Sequence, residues 1–176
     1  MKTTIIEQMI LRHAAFSEQS IIWDILLQAI EQRKQDGSEQ WQNGYPNEQT
    51  VYDDITNGCA YVLVDNNVII AYAAIIVGVE PAYKNIKGEW LTNDDYAVIH
   101  RVATSNAVKG KGIATHLFKM IEDLCIYQNI YSIKVDTNFD NAPMLKILGK
   151  LNYTYCGEIF FSGAPRKAYE KVLPKS

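Results

Sequence analysis

The chain has 176 residues, 48% hydrophobic and 21% charged, enough to bury a full core in one domain spanning 1–176 and too apolar for a disordered chain. Its formal net charge of −3 offers no general attraction to nucleic acid or to an anionic membrane surface. Cys59, Cys125 and Cys156 are odd in number, widely spaced and without a CxxC pair, which argues against a disulfide framework or a zinc site and for a reducing compartment.

Met1 to Glu7 lacks the apolar core of a signal peptide, and Val68 to Val79 is too short to span a bilayer and carries Tyr72 and Gly78. The expected location is cytoplasmic. Residues 3–11 read as an opening strand ending at Arg12-His13. Ser17 suits the N-cap of the next helix, with Phe16 placed to staple onto Ile21. Ile21, Ile22, Ile25, Leu26, Ala29 and Ile30 recur at helical spacing, so that helix buries one face. Turn signals fill residues 35–49 (Asp36-Gly37-Ser38, Asn43-Gly44, Pro46), and a short helix over 48–57 closes at Asn57-Gly58.

Two runs rich in Val, Ile, Tyr and Ala, 60–65 and 68–79, flank Asp65-Asn66-Asn67 and predict a hairpin. A loop through Pro81 and Lys87-Gly88 leads to a strand over 95–104. The segment 112–127 is helical with Ile113, Leu117, Ile121 and Leu124 on one side. A strand at 131–136, a helix at 142–150 and strands at 153–161 and 166–173 complete the chain. The β-α-β unit over 95–136 implies a right-handed crossover between parallel strands. The fold class is therefore α/β, a mixed sheet with about four helices on its faces.

The chemistry concentrates where the strand at 95–104 ends, two glycines and two lysines make a turn, and a helix begins. Amides at a helix start are unpaired and point along the positive end of its dipole. Glycine admits a phosphate to them, and Lys109 and Lys111 would add positive charge. An ordinary glycine-assisted helix entry fits the same residues. Neither the Walker pattern GxxxxGK[ST] nor GxGxxG is present.

Lys109-x-x-Gly112-x-Ala114 resembles the Q/R-x-x-G-x-G/A signature of the GNAT superfamily of acetyl-CoA-dependent N-acetyltransferases. Asn141 to Tyr153 resembles that superfamily's later N-x-x-A-x-x-L-Y-x-K-L-G-F segment, and the similarity runs from about residue 95 to 160. The resemblance implies that strands 95–104 and 131–136 splay apart. Backbone groups of Val102, Ala103 and Thr104 would then pair with the pantetheine arm of acetyl-CoA. Amides of Gly110, Lys111, Gly112, Ile113, Ala114 and Thr115 would hold its pyrophosphate. Asn141 falls near the arm, although Asn before Ala142-Pro143 is equally a helix cap.

The resemblance also implies that Asp136 acts as general base, where the plain alternative is a turn-starting Asp. The run Asp136-x-Asn138-x-Asp140 is not a calcium loop, because Asn141 replaces the required glycine and Ile147 the closing glutamate. Two departures stand out. Leu148 occupies the place of the tyrosine that protonates the departing thiolate, leaving Tyr153, Tyr155, a water or no acid at all for that step. Val98 stands where some relatives carry a glutamate base. His100, two residues on and expected on the face of Val102 and Thr104, belongs to a residue type that titrates near neutrality and is a second base candidate.

Trp41, Tyr45, Tyr83 and Trp90 fall in segments that would line an acceptor pocket or cover the core edge. Arg166, Tyr169 and Glu170 on the last strand are equally open between lining and packing. The expected activity is acetyl transfer from acetyl-CoA to a primary amine, small-molecule or peptide, without a metal. Nucleic acid and membrane are not expected partners, and a homodimer is left open. The rivals are a non-catalytic acyl-CoA sensor of the same fold and an interaction module with a merely structural glycine turn.

Overall fold

The computed structural model describes residues 8–175. Within them the opening strand, β1, is Ile10–His13, and residues 3–7 of its expected span lie outside the described part. The cap expected at Ser17 is not made, because Ser17 sits inside a 3-10 turn (Phe16–Glu18). Glu18 closes this end instead, its carboxylate accepting from the Ala15 amide at 2.8 Å and from Arg12 at 2.9 and 2.7 Å. Phe16 turns to Tyr52, ring centroids 5.5 Å apart, rather than to Ile21. Helix α1 (Gln19–Gln35) buries Ile22, Ile25 and Leu26, while Ile21 stays exposed. Helix α2 (Glu48–Thr56) starts at Asn47, whose side chain accepts from the Thr50 amide at 3.0 Å while Thr50 Oγ1 accepts from the Asn47 amide at 3.1 Å.

The hairpin forms as β2 (Ala60–Asp65) and β3 (Val68–Val77), closed by Asn66 and Asn67 with φ of 47° and 63°. A two-residue hairpin turn demands that left-handed backbone, and Asn tolerates it. Lys87–Gly88, expected as loop, makes a two-residue strand, β4, against the later β7. Then come β5 (Ala97–Thr104), α3 (Ile113–Tyr127), β6 (Ser132–Thr137), α4 (Ala142–Lys150), β7 (Thr154–Phe161) and β8 (Ala164–Val172). Among the described residues eight strands form one sheet in the order β1-β2-β3-β5-β6-β8-β7-β4, antiparallel except for β5 and β6.

The sheet buries apolar surface on both faces. Leu117, Phe118 and Ile121 of α3 pack with Leu63, Ile99 and Ile133 on one side. Ile22 and Leu26 of α1 and Val51 of α2 pack with Val62 and Tyr72 on the other. A third cluster joins Tyr83 to Val98, Ile159 and Ala168.

The parallel pair is short. Ala97 lies opposite Ile133 and Val98 opposite Lys134, after which β5 continues along β3 and β6 continues along β8. A bulge lies in β5 where the strands part: Ala103 pairs with Tyr72 and His100 with Ala74, so Arg101 and Val102 together oppose Ala73. Arg101 has φ 54°, a conformation seldom adopted by a non-glycine residue. An extra residue bends and twists its strand, which carries β5 away from β6. The bulge also overturns the expected alternation. His100 lies opposite Ala74 and keeps the face of Val98, whereas Val102 packs with Ile99 on the α3 side.

Candidate functional site

Between the parted strands a cleft of about 750 Å³ is lined by His100, Arg101, Val102, Asp136 and Arg166, with Trp41, Tyr45 and Phe161. A second cleft of about 330 Å³ is lined by Val102, Ala103 and Thr104 of β5, Lys109 and Ala114 of the turn, and Arg33 of α1. Gln40, Trp41, Val102, Asn141 and Met144 line both, so the two adjoin.

The turn behind the second cleft has the form its glycines predict. Gly112 is the N-cap of α3 with φ 71°, and Gly110 has φ 78°. The first helical hydrogen bond runs from the His116 amide to the Gly112 carbonyl at 3.0 Å. The amides of Ile113, Ala114 and Thr115 precede it and have no intrahelical carbonyl. Apart from its two chain neighbours, no described residue comes within 4 Å of where a Cβ on Gly112 would stand. Lys109 is tied by its ammonium to Gln32 of α1, and the Asn106 amide donates to Gln28 at 2.7 Å, so α1 clasps the turn. Lys111 is exposed and lines neither cleft. The Ile113 side chain is buried in the core, which leaves only its amide for a ligand.

Asn141 does cap α4, accepting from the Met144 amide at 3.2 Å. It does more: Arg33 donates to its Oδ1 at 2.6 Å, and its amide nitrogen donates to Gln40 at 3.0 Å. The cap is thereby joined to α1 and to the loop after it, at the junction of the clefts.

Asp136 is held from two sides. Tyr83 donates to Oδ2 at 2.6 Å and Arg166 Nε donates to Oδ1, while Arg166 Nη1 donates to Asn138 at 2.8 Å. Burial, and then the adjacent Asp136 charge, push the Tyr83 phenol well above its ordinary pKa, so it stays a donor. The Asp136 side chain is 1% exposed and His100 16%. His100 Nδ1 lies 4.0 Å from Asp136 Oδ2, and its Nε2 lies 3.6 Å from Glu80. The neighbouring His100 imidazole holds the Glu80 carboxyl below its usual range, against the upward push of burial.

The bulge has its own anchor. Asp54 of α2 accepts from Arg101 Nε at 2.8 Å and Nη2 at 2.5 Å, and from the Tyr72 hydroxyl. Arg101 Nη1 donates to the Tyr45 hydroxyl at 2.7 Å. Burial pulls the Arg101 pKa down, but the bonds to Asp54, with the nearby Tyr45, Asp54 and Tyr72 oxygens, together outweigh it and raise the pKa. Burial, and then Asp54, push the Cys59 thiol up to about 11.

Of the aromatics singled out in the sequence, Trp41 and Tyr45 line the larger cleft, whereas Tyr83 and Trp90 pack in the third cluster beneath Asp136. Leu148 is fully buried in the α3-side core and lines neither cleft, so the position equivalent to the family's tyrosine does not face the site. Tyr153 lies in that core as well, and Tyr155, edge-on against Tyr169, lines neither cleft. On the last strand Arg166 lines the cleft, and Glu170, fully buried, accepts from the Leu91 amide at 2.6 Å and from Ser132 at 2.7 Å.

The sequence reading missed Arg33, Gln40, Asp54 and Arg101. One signal was available: Arg101 sits in a strand otherwise fit for burial, and a buried guanidinium requires an acidic partner. Among the described residues no cluster of three or more His, Cys, Asp or Glu side chains forms a metal site, and no helix is long and apolar enough to cross a membrane.

Residues 23–153 match the Acetyltransferase (GNAT) family. A GNAT-family acetyltransferase from Streptococcus agalactiae 2603 is 36% identical over 95% of this chain and 96% of its own, with a TM-score of 0.86. A GNAT acetyltransferase from Listeria monocytogenes 4b F2365 shares the fold at 19% identity, covering 94% of this chain and 95% of its own, TM-score 0.76. The Salmonella typhimurium protein yncA, solved with its cofactor acetyl-CoA, shares it at 14% identity, covering 96% and 95%, TM-score 0.65. No curated protein matches the sequence.

Proposed function

The chain belongs to the GNAT acetyltransferase family, and on that basis we propose that it moves an acetyl group from acetyl-CoA directly to a primary amine. The observation that carries this reading is the parting of β5 from β6 beside the unpaired amides of the α3 start. Residues 102–104 would then offer strand-like backbone to the pantetheine arm, and the amides of 113–115, which have no intrahelical carbonyl, would hold the pyrophosphate, the Lys111 amide being already bonded to the Val108 carbonyl. Asn141 closes the junction from the α4 side and has a second amide hydrogen to give.

His100 is the base and Asp136 its positioning partner. Both Asp136 oxygens already accept hydrogen bonds and its side chain turns inward, so an incoming amine meets His100 first. His100 takes the ammonium proton, the amine nitrogen attacks the thioester carbonyl, and a backbone amide of the 102–104 segment stabilises the oxyanion. The C–S bond then breaks as the amide forms. The proton that the nitrogen loses as the amide forms would reach the sulfur by way of Tyr45, a phenol that lines the larger cleft. A thiol with pKa near about 8.5 is also a fair leaving group unaided.

Free CoA released from acetyl-CoA across a library of primary amines tests this reading. Turnover of at least one amine is expected. Tight CoA binding with no turnover of any amine would replace it with the acyl-CoA sensor. No acetyl-CoA binding at all would leave the glycine turn structural.

Gly112→Val should weaken acetyl-CoA binding by more than about tenfold while costing about 1–2 kcal/mol of fold stability, because a branched residue at φ 71° is strained. Calorimetry beside urea unfolding separates the two effects. Parent-level affinity in the folded variant would remove the phosphate site from this turn.

A further inference from the structure

We infer that the acceptor is a small amine carrying a carboxylate a few bonds from its amino group, the arrangement of a free amino acid; this rests on the acetyl-transfer reading above. The charges of the larger cleft are arranged in two ion pairs, each with its cation outward. The Arg101 side chain is 11% exposed, and its partner Asp54, 7% exposed, is not part of the lining. Arg166 is 20% exposed and its partner Asp136 1%. An acceptor entering the cleft therefore meets two guanidinium groups before it meets either carboxylate. Glu39 is the other carboxylate of the lining, and it is exposed to water, where screening weakens it.

Both guanidiniums have donors to spare. The bonds to Asp136 and Asn138 use two of the five N–H groups of Arg166, and those to Asp54 and Tyr45 use three of Arg101's. A guanidinium with free N–H groups in a partly buried site is matched in shape and charge by a carboxylate. A polycationic acceptor finds no such complement here.

The spacing sets the length of the acceptor. His100 and Arg166 approach opposite oxygens of one carboxylate: His100 Nδ1 is 4.0 Å from Asp136 Oδ2, and Arg166 Nε bonds Oδ1. His100 and Arg166 thus flank one carboxylate, so an amine delivered to His100 and an anion held by the guanidinium can belong to one small molecule. Glu80 and Asp136 beside His100 favour the ammonium form on arrival, and the arginines favour the anion. The two ends of a zwitterion are both met.

The test compares free L-amino acids with their α-amides as acceptors, reading CoA release. The amide keeps the amine and the shape but loses the negative charge. Its ammonium, with a pKa near about 8, is also more easily deprotonated, so on reactivity alone it is the faster substrate. The expected result is a kcat/KM at least about tenfold higher for a free acid than for its amide, the scale of one lost charge-assisted contact. Arg166→Gln and Arg101→Gln should each shrink that acid-to-amide ratio, whatever they do to the absolute rate. Amides equal to or better than acids throughout would overturn the inference and leave acetyl transfer standing, with a peptide N-terminus or simple amine as acceptor. A ratio that survives in both variants would overturn the assignment to the arginines. No turnover of any amine would take the acetyl-transfer reading down with it. The parent comparison needs no variant and decides the matter if either substitution fails to fold.

Discussion

His100→Gln should lower kcat by about 10²–10³-fold while changing acetyl-CoA affinity by less than about twofold. Glutamine fills a similar volume and can still donate toward Glu80, 3.6 Å from the ring. It cannot take the ammonium proton. The cofactor segment 102–104 lies beyond the bulge, with Val102 on the opposite face of the sheet, which is why binding should survive. A kcat within about threefold of the parent would remove His100 as the base and return Asp136 to that role.

Asp54→Ala should be the most destabilising single change near the site, costing about 3–5 kcal/mol, because removing one partner of a buried ion pair leaves the other charge uncompensated. Arg101 would lose bonds of 2.8 and 2.5 Å, and the Tyr72 hydroxyl, fully buried, would lose its acceptor. The damage should reach the chemistry, because those bonds hold Arg101 at φ 54° and with it the bulge that parts the strands. Asp54→Asn, keeping the shape and one acceptor oxygen, should cost less and recover part of kcat/KM for acetyl-CoA. Urea unfolding and acetyl-CoA kinetics measured together check this. A cost below about 1 kcal/mol for Asp54→Ala would mean that the bulge stands by sheet pairing alone.

The secondary elements were legible in the sequence because each carries its own period and punctuation. The hairpin announced itself by two β-branched runs around Asn66-Asn67, and α3 by Ile113, Leu117 and Ile121. The start of α1 was misplaced for a reason of reach. Ser17 is a good local cap, but Glu18 can bond both the Ala15 amide and Arg12, and the longer side chain won. Lys87–Gly88 was invisible as a strand, since two residues have no period and their pairing depends on β7, about seventy residues away.

The turn around Gly112 belongs to what the sequence determines by itself. A left-handed helix cap favours a residue without a Cβ, and the amides that follow are unpaired wherever the helix packs. The same holds for the parallel crossover, which handedness and one helix impose. What the tertiary structure alone decided is the wiring of the clefts. Asp136 and Arg166, Asp54 and Arg101, and Arg33 and Asn141 are pairs separated by 30, 47 and 108 positions. Buried charges and amides must find partners somewhere, but their identities follow only from which strands lie side by side. The bulge is the clearest case. Period-two alternation puts His100 on the face of Val102, and one extra residue at Arg101, held by an aspartate from a different helix, puts them on opposite faces.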